Sequence, residues 1–416
     1  MQPNILAAPE LAAAGRQKIE WVRRNMPILR QLEERFAVQQ PFAGKRIAVC
    51  IHLEAKTAYL ALALRSGGAT LAVTGSNPES TKDDVVAALA ADGLHVYARH
   101  GADPAEMRRY MGLALELAPH VVIDDGGDLV ELLHESHRNY ANEMLGACEE
   151  TTSGVLRARA RAKAGQLRFP VVLVNDARCK YLFDNVHGTG QSVWDGVMRS
   201  TNLVLAGKTV VIVGYGWCGK GCALRAQGLG AHVVVCEVDP IKAADALMHG
   251  CRVLPLVEAC RVADVVLTVT GVRHTLRAEH FGALKNNVVL ANAGHFWEEI
   301  DVAALSAAAV ERKPLRTNVE GFRLRDGRWL NLLGGGNIVN ISCADGHPAE
   351  IMDMSFALQA LAARHVVEQA RALAPGCYPA PASIDEQVAR LKLAAAGISI
   401  DTLTADQQEY LAHWQA

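Results

Sequence analysis

Short, almost wholly apolar runs recur along this chain, at 46–50, 70–74, 95–99, 120–123 and 170–174, and again at 209–213, 232–236, 252–254, 264–269 and 288–291. Ala-rich stretches with helical spacing separate them. Such a run has no polar face to offer water, so when it alternates with helices it reads as a strand covered on both sides. The alternation therefore predicts an α/β chain with two doubly wound parallel sheets, one within roughly the first 180 residues and a second starting at Lys208. Residues 8–37 lead in as amphipathic helix, with Trp21, Ile28, Leu29 and Leu32 on one side. After a glycine turn at 334–336, a polar stretch runs through His347. A helical pattern over 352–374 with no obvious sheet of its own follows, then a Pro-rich break at 375–381 and a small helical C-terminal segment.

Composition narrows the partners. Aromatics at 5% and 35 glycines suit close helix-on-sheet packing better than a base-stacking surface, and 42 basic against 44 acidic side chains leave no field for a polyanion, so no nucleic acid is expected. No apolar run approaches ~18 residues, so no membrane is expected either. Ten scattered cysteines without a Cys-x-x-Cys, and an N-terminus unlike a leader peptide, suggest a cytoplasmic protein with reduced thiols.

Residues 210–221 read VVIVGYGWCGKG, a buried strand running into Gly214-x-Gly216-x-x-Gly219 and then a helical segment. These glycines allow the tight turn, the approach of backbone N–H groups to a pyrophosphate, and helix-on-strand packing. Glu237 ends the next strand about 20 residues on, where a carboxylate holds a ribose 2′-hydroxyl and repels a 2′-phosphate, so NAD is expected. A Walker loop is nearly matched, but Gly221 stands where Mg²⁺ binding needs Ser or Thr.

Polar residues concentrate at predicted strand ends: His52, Glu54, Lys56 and Thr57; Asp124, Asp125 and Asp128; Glu149, Glu150, Thr151, Thr152 and Ser153; Lys180, Asp184 and Asn185; Gly294, His295 and Phe296; and His347. Each has a plainer reading: a packed histidine, a helix cap for the Glu-Glu-Thr-Thr run, or a surface ion pair for Lys180 and Asp184 four apart. The Asp-Asp-Gly-Gly-Asp loop lacks calcium-ligand spacing, and no metal site is expected. It is their joint occurrence at strand ends that points to a site.

With these segments the chain resembles S-adenosylhomocysteine hydrolases nearly end to end, through HLEAKTA (52–58), DDGGDL (124–129), EETTSG (149–154), FDNVHGTGQS (183–192), GYGWCGKG (214–221), NAGHF (292–296) and GHPAEIMDMSF (346–356). NAD-dependent 2-hydroxyacid dehydrogenases share the two-lobed plan but lack the EETT and FDN segments. The resemblance implies a substrate domain made of 1–185 and 348–385, an NAD-binding Rossmann domain of 186–347 and an oligomerisation segment of 386–416. It also implies one tightly held NAD per subunit and a homotetramer. The implied reaction is reversible hydrolysis of S-adenosyl-L-homocysteine to adenosine and L-homocysteine. Oxidising the 3′-hydroxyl acidifies the 4′ C–H, homocysteine leaves, water adds, and the ketone is reduced again.

By that resemblance Lys180 and Asp184 grip the ribose hydroxyls. Lys180 would be the base at the 3′-oxygen, a role that requires its pKa to be pulled down. Asp125 serves C4′, His52 and His295 act at C5′ and sulfur, Glu150 binds a substrate hydroxyl, and Asn185 orients near the nicotinamide. Glu54, Lys56 and Thr57 lie at the purine edge, and Met352 and Phe356 complete the substrate pocket. Thr151, Thr152 and Ser153 reach NAD from the first domain. Gly214, Gly216, Trp217, Cys218, Gly219, Lys220, Gly221, Glu237, Lys242, Ala293, Gly294, His295 and Asn340 do so from the second. His347 is a gate histidine at the hinge, shared by substrate and cofactor.

This sequence departs from many members in four places. Glu54 and Lys56 replace Thr and Glu; a Lys only donates, which suits a 6-oxo purine, so S-inosyl-L-homocysteine is an alternative substrate. Thr189 replaces a Cys. Lys242 stands for an Asn and is expected to pair with Glu237. The ending His413-Trp414-Gln415-Ala416 lacks a Lys- and Tyr-bearing tail, from which easier cofactor exchange is expected. Rival readings are an NAD-linked dehydrogenase and a non-catalytic NAD-binding relative.

Overall fold

The computed structural model describes residues 2–295, 297–370 and 372–413; Phe296 and the last three residues of the C-terminal ending lie outside them. The strands are β1 Arg46–Ile51, β2 Thr70–Gly75, β3 His95–Tyr97, β4 Val121–Asp124, β5 Gly146–Glu149, β6 Pro170–Leu173, β7 Thr209–Val213, β8 His232–Cys236, β9 Arg252–Val253, β10 Val265–Thr268, β11 Val288–Asn292, β12 Ala309–Arg316, β13 Val319–Leu324, β14 Trp329–Leu333 and β15 Gly376–Pro379.

The first sheet has the order β15-β6-β5-β4-β1-β2-β3, and all of its neighbours are parallel. Successive residues of β1 feed opposite cores: Ile47, Val49 and Ile51 pack with one set of helices, Ala48 and Cys50 with the other. That two-faced burial is why the strand reads as an unbroken apolar run. The second sheet has the order β12-β13-β14-β11-β10-β7-β8-β9. Its β14-to-β9 part is parallel, and β7 alternates in the same way, with Val210 and Ile212 in one core and Val211 and Val213 in the other.

Several elements differ from the sequence expectation. β12 and β13 add antiparallel strands at one edge of the second sheet. β12 is exposed along most of its length, and Glu311, Arg312, Lys313 and Arg316 leave it no apolar run. β5 is a Gly-Ala-Cys-Glu strand, buried but too small in side chain to register as apolar. The helix read over 352–374 is Ala349–Glu368, and it has a sheet after all: Met354, Phe356, Leu358 and Leu361 lie in the core that also holds Ile47 and Val49. The Pro-rich segment beyond it is not just a break, because it contains β15, the edge strand beside β6. Helix Ala382–Ala395 runs across residue 385, and its Ile384, Val388 and Leu391 join that same core. The chain leaves the first unit only after Ala395. Helix Ala405–Ala412 follows with no buried residue. No helix of the described residues is long and apolar enough to cross a membrane.

The passage from the first sheet to the second is helical throughout. A short turn Arg178–Lys180 runs into a π-helical stretch Tyr181–Gly188 and then helix Thr189–Thr201. Residue 185 thus lies inside a continuous helical crossover. The wide π turn presents Asp184 inward, the kind of local irregularity that recurs at functional sites.

Candidate active site

In each sheet the strand order reverses at one point, between β1 and β4 and between β7 and β10. The crevice at such a reversal receives ligands. His52 follows β1, Asp125 follows β4, Glu150 follows β5 and the glycine loop follows β7.

Lys180 is buried, and its Nζ lies 2.9 Å from Asn185 Oδ1, 3.6 Å from Asp184 Oδ2 and 3.8 Å from Glu150 Oε1. The surface ion pair is therefore excluded. Asp184 is held from both sides, by His347 Nδ1 at 2.8 Å and by Ser355 Oγ at 2.7 Å. Gln359 Nε2 donates to Glu150 Oε2. Burial pulls the Lys180 ammonium down, but Asp184 and Glu150 outweigh it and push its pKa up to about 12. The lowering that a lysine base needs is absent, because three segments deliver carboxylates to one amine. Burial pushes Glu150 up to about 8, against the pull of Lys180, while Lys180 and His347 overcome burial to hold Asp184 well below the usual carboxylate range.

Asp125 Oδ2 accepts from Ser76 Oγ at 2.9 Å and lies 3.5 Å from His52 Nε2. His52 Nδ1 is 2.8 Å from Ser80 Oγ, whose own proton goes to Asn77 O. The two ring nitrogens thus face a hydroxyl on one side and the Asp125 carboxylate on the other. Burial lowers the His52 pKa, with Asp125 opposing. His295 approaches from the second unit: a methyl group added at Gly126 would lie 3.0 Å from its Nε2. Three buried carboxyl or amide oxygens here, Asp125 Oδ1, Glu150 Oε1 and Gln359 Oε1, have no hydrogen-bond partner among the described residues.

Behind this layer lie two acids to which the sequence reading gave no role. Asp124 and Glu149 are register neighbours on β4 and β5. Glu149 Oε1 accepts from Gly126 N, Thr151 N and Thr151 Oγ1, tying the Asp125 loop to the next one. Burial pushes Asp124 up to about 8 and Glu149 upward as well. Thr151 also caps helix Thr152–Lys163 through Gly154 N, so the plain cap reading holds for it; Ser153 Oγ is 3.1 Å from Thr151 Oγ1, and Thr152 Oγ1 reaches Asn175.

Glu54 caps helix Ala55–Ser66, accepting from Lys56 N and Thr57 N. Its Oε2 also takes Lys56 Nζ at 2.7 Å, and that ammonium reaches Asp345 O at 3.1 Å, beside His347. Thr57 Oγ1 is spent on His52 O. Met352 and Phe356 are buried on the long helix, within the first core.

The glycine loop fits a dinucleotide. Gly214 has φ 101°, a methyl group at Gly219 would strike Gly214 O, and a methyl group at Gly216 would meet nothing within 4 Å, which leaves room for a ligand. Helix Trp217–Gly228 begins with no side-chain cap, so its first N–H groups are available to a phosphate. Glu237 is aimed by Tyr215 N at 2.7 Å, Val238 N at 2.6 Å and Asp239 N at 3.0 Å. Asn340, whose Oδ1 is buried without a partner among the described residues, sits on helix Val339–Ser342, and the Ala293-Gly294-His295 loop follows β11. Gly221 abuts Val186 O, locking this helix onto the π segment. Trp217 stacks on Tyr181 at 4.6 Å. Lys220 pairs with Asp245, and Lys242 pairs with Asp239 rather than with Glu237, whose three backbone donors leave acceptor capacity for a further hydroxyl. Thr189 meets His347 Nε2 at 3.2 Å and Cys218 Sγ at 3.5 Å, so a thiol stands beside this position though not on it. The described residues contain no group able to hold a metal ion.

The sequence reading missed Ser355, Gln359, Ser76 and Ser80. The first two carried a signal: they are polar residues inside an otherwise apolar helix.

Comparison with known proteins agrees along the chain. Residues 5–145 match the family model described as S-adenosyl-L-homocysteine hydrolase, and 185–346 match S-adenosyl-L-homocysteine hydrolase, NAD binding domain. The curated adenosylhomocysteinase of Pyrococcus abyssi is 52% identical over 405 residues, 97% of this chain and 96% of that protein. Those of Nostoc sp. and Thermotoga maritima are each 49% identical, over 97% and 96% of this chain and 95% and 99% of theirs.

Proposed function

The chain belongs to the S-adenosyl-L-homocysteine hydrolase family, and from that premise we infer that it is an NAD-dependent enzyme hydrolysing the thioether of S-adenosyl-L-homocysteine to adenosine and L-homocysteine. The observation that carries this reading to the residues is the Lys180 cluster. A buried ammonium stands among carboxylates whose Asp125 Oδ1 and Glu150 Oε1 lack donors. Buried unpaired acceptors are costly, and the two vicinal hydroxyls of a ribose supply the missing donors.

NAD would be held by Gly214, Gly216, Gly219 and the uncapped helix start, with Glu237 on its ribose, Ala293, Gly294, His295 and Asn340 at the far end, and Thr151, Thr152 and Ser153 contributing from the first unit. Trp217, Cys218, Lys220, Gly221, Asn185 and Lys242 line or brace that loop. When bound, NAD supplies a reversible hydride acceptor. Lys180, held as a cation, donates to the 3′-oxygen and stabilises its negative charge. Glu150, which burial lifts to about 8, takes the hydroxyl proton. Asp184 and Asn185 fix the Lys180 amine. Asp125 accepts the C4′ proton, and His52, through Nε2, exchanges a proton at C5′ or sulfur together with His295. His347, bonded to Asp184 and Thr189 across the crossover, links closure to the ribose site. His295, brought against Gly126 from the second unit, would shield the reacting carbons from water.

Thr57, Met352 and Phe356 shape the purine end, and the S-inosyl substrate is a second reading. Glu54 spends Oε2 on Lys56, and Lys56 spends two of its three N–H groups on Glu54 and Asp345, so one donor remains for a 6-oxo group. We also propose a homo-oligomer, supported by the exposed Ile398, Ile400, Leu403, Tyr410 and Leu411 of the C-terminal segment, and a cytoplasmic location, supported by ten free cysteines. One assay tests the reading: the NAD-loaded protein is given S-adenosyl- or S-inosyl-homocysteine while free thiol and NADH absorbance are followed. Thiol release without net NADH is expected. Stoichiometric NADH would instead indicate a dehydrogenase, and no thiol from either compound would overturn the assignment.

A further inference from the structure

The long helix Ala349–Glu368 is buried along most of its length. Ser355 and Gln359 lie one turn apart within it, each 0% exposed, amid Met354, Phe356, Leu358 and Leu361. Polar groups at such positions cost stability unless bonded, and their spacing puts both on one face. Both bonds go to the acids that bracket Lys180, Ser355 to Asp184 and Gln359 to Glu150.

We propose that Gln359 and Ser355 are positioning residues that set the proton inventory at Lys180, Gln359 by keeping Glu150 ionisable and aimed, Ser355 by fixing Asp184. The proposal rests on the hydrolase reading above. The groups facing Glu150 are Lys180 from the crossover, Asp184 one turn further, Asp125 from the β4 loop, and the Gln359 amide. Asp184 faces Lys180, His347 and Ser355. Of these contacts to Glu150, the Gln359 N–H and the Lys180 charge favour its ionised form, whereas Asp184 and Asp125 oppose it. Among the described residues Gln359 is thus the neutral side chain that hydrogen-bonds Glu150 and tunes when it takes up a proton. Its own Oε1 is buried and unpaired, so the amide has no other bond there to hold it in place.

The test uses the NAD-loaded enzyme and pH profiles of kcat/KM for homocysteine release. Gln359→Met keeps the volume and removes the donor, and Gln359→Glu keeps the volume and adds a second acid. The ionisation assigned to Glu150 should move upward by about one unit in the first and further in the second. Ser355→Ala, which barely changes volume, should lower kcat about tenfold with KM within about twofold, and Ser355→Thr should restore it. An unmoved ionisation with activity lowered equally at every pH would overturn the Gln359 role. A raised KM with kcat intact would overturn that of Ser355. If the unaltered enzyme releases no thiol, the hydrolase reading fails instead, so the two failures are distinguishable.

Discussion

Gly126 and its neighbour Gly127 separate backbone strain from site geometry. Both have positive φ, 105° and 79°, so an alanine at either costs about 1–2 kcal/mol of backbone strain. What the new methyl group meets differs. At Gly127 its nearest neighbour is Gly154 Cα at 3.4 Å, an ordinary contact; at Gly126 it is His295 Nε2 at 3.0 Å. That imidazole has to retreat by a few tenths of an ångström or more, and it is the group the second unit brings against the Asp125 loop. A displacement approaching 1 Å costs about a hundredfold in rate. Gly126→Ala should therefore lose both stability and turnover, with kcat down by about three- to tenfold for a shift of that size, while Gly127→Ala should lose similar stability and keep most of its rate. Thermal unfolding paired with thiol-release kinetics reads both quantities. Equal kcat in the two variants would refute the idea that His295 must abut this loop.

Removing the Lys180 charge should be worse than removing its reach. Lys180→Met strands Asp184 and Glu150 without a cation, so stability should fall by about 3–5 kcal/mol and activity should vanish, measured by denaturant unfolding and by assay; retained turnover would eliminate Lys180 from the chemistry. Ser80→Ala takes away the partner of His52 Nδ1 and should cost about tenfold to a hundredfold in kcat, with KM little changed. Because burial lowers the His52 pKa below its unfolded value, the neutral form favours the fold, and that contribution is lost as the pH falls from about 6.5 through the lowered folded value. A His52→Gln protein should show a flatter acid limb in unfolding titrations, and an identical limb would contradict the assignment. Glu237→Ala should weaken NAD about tenfold to a hundredfold and narrow the preference over NADP, by direct binding; unchanged discrimination would remove Glu237 as the ribose ligand.

What could be read in advance followed from local rules. The two-faced strands β1 and β7, the glycine loop and the strand-end acids depend on residues adjacent in sequence, and all lie where the alternation and the turn chemistry put them. The misses have a common cause, which is distance along the chain. Ser355 and Gln359 acquire meaning only when a helix from beyond the second sheet folds back over Asp184 and Glu150. The sign of the Lys180 shift could not be read from Lys180 itself, since the acids that set it come from β4, β5 and the π turn. β15 escaped notice because a Cys-Tyr pair flanked by prolines shows no period until β6 lies beside it.

The edge position of β15 also bears on how the molecule is made. The first sheet is complete only when a strand from the far side of the second sheet reaches β6, about 200 residues later in translation. At 5–20 residues per second that is roughly ten to forty seconds. Through that interval the emerging polypeptide carries an open strand edge and an apolar floor from which Met354, Phe356 and Leu358 are still missing. The amino-terminal half therefore gains its last edge strand and the rest of its apolar floor only once the carboxy-terminal piece has been synthesised.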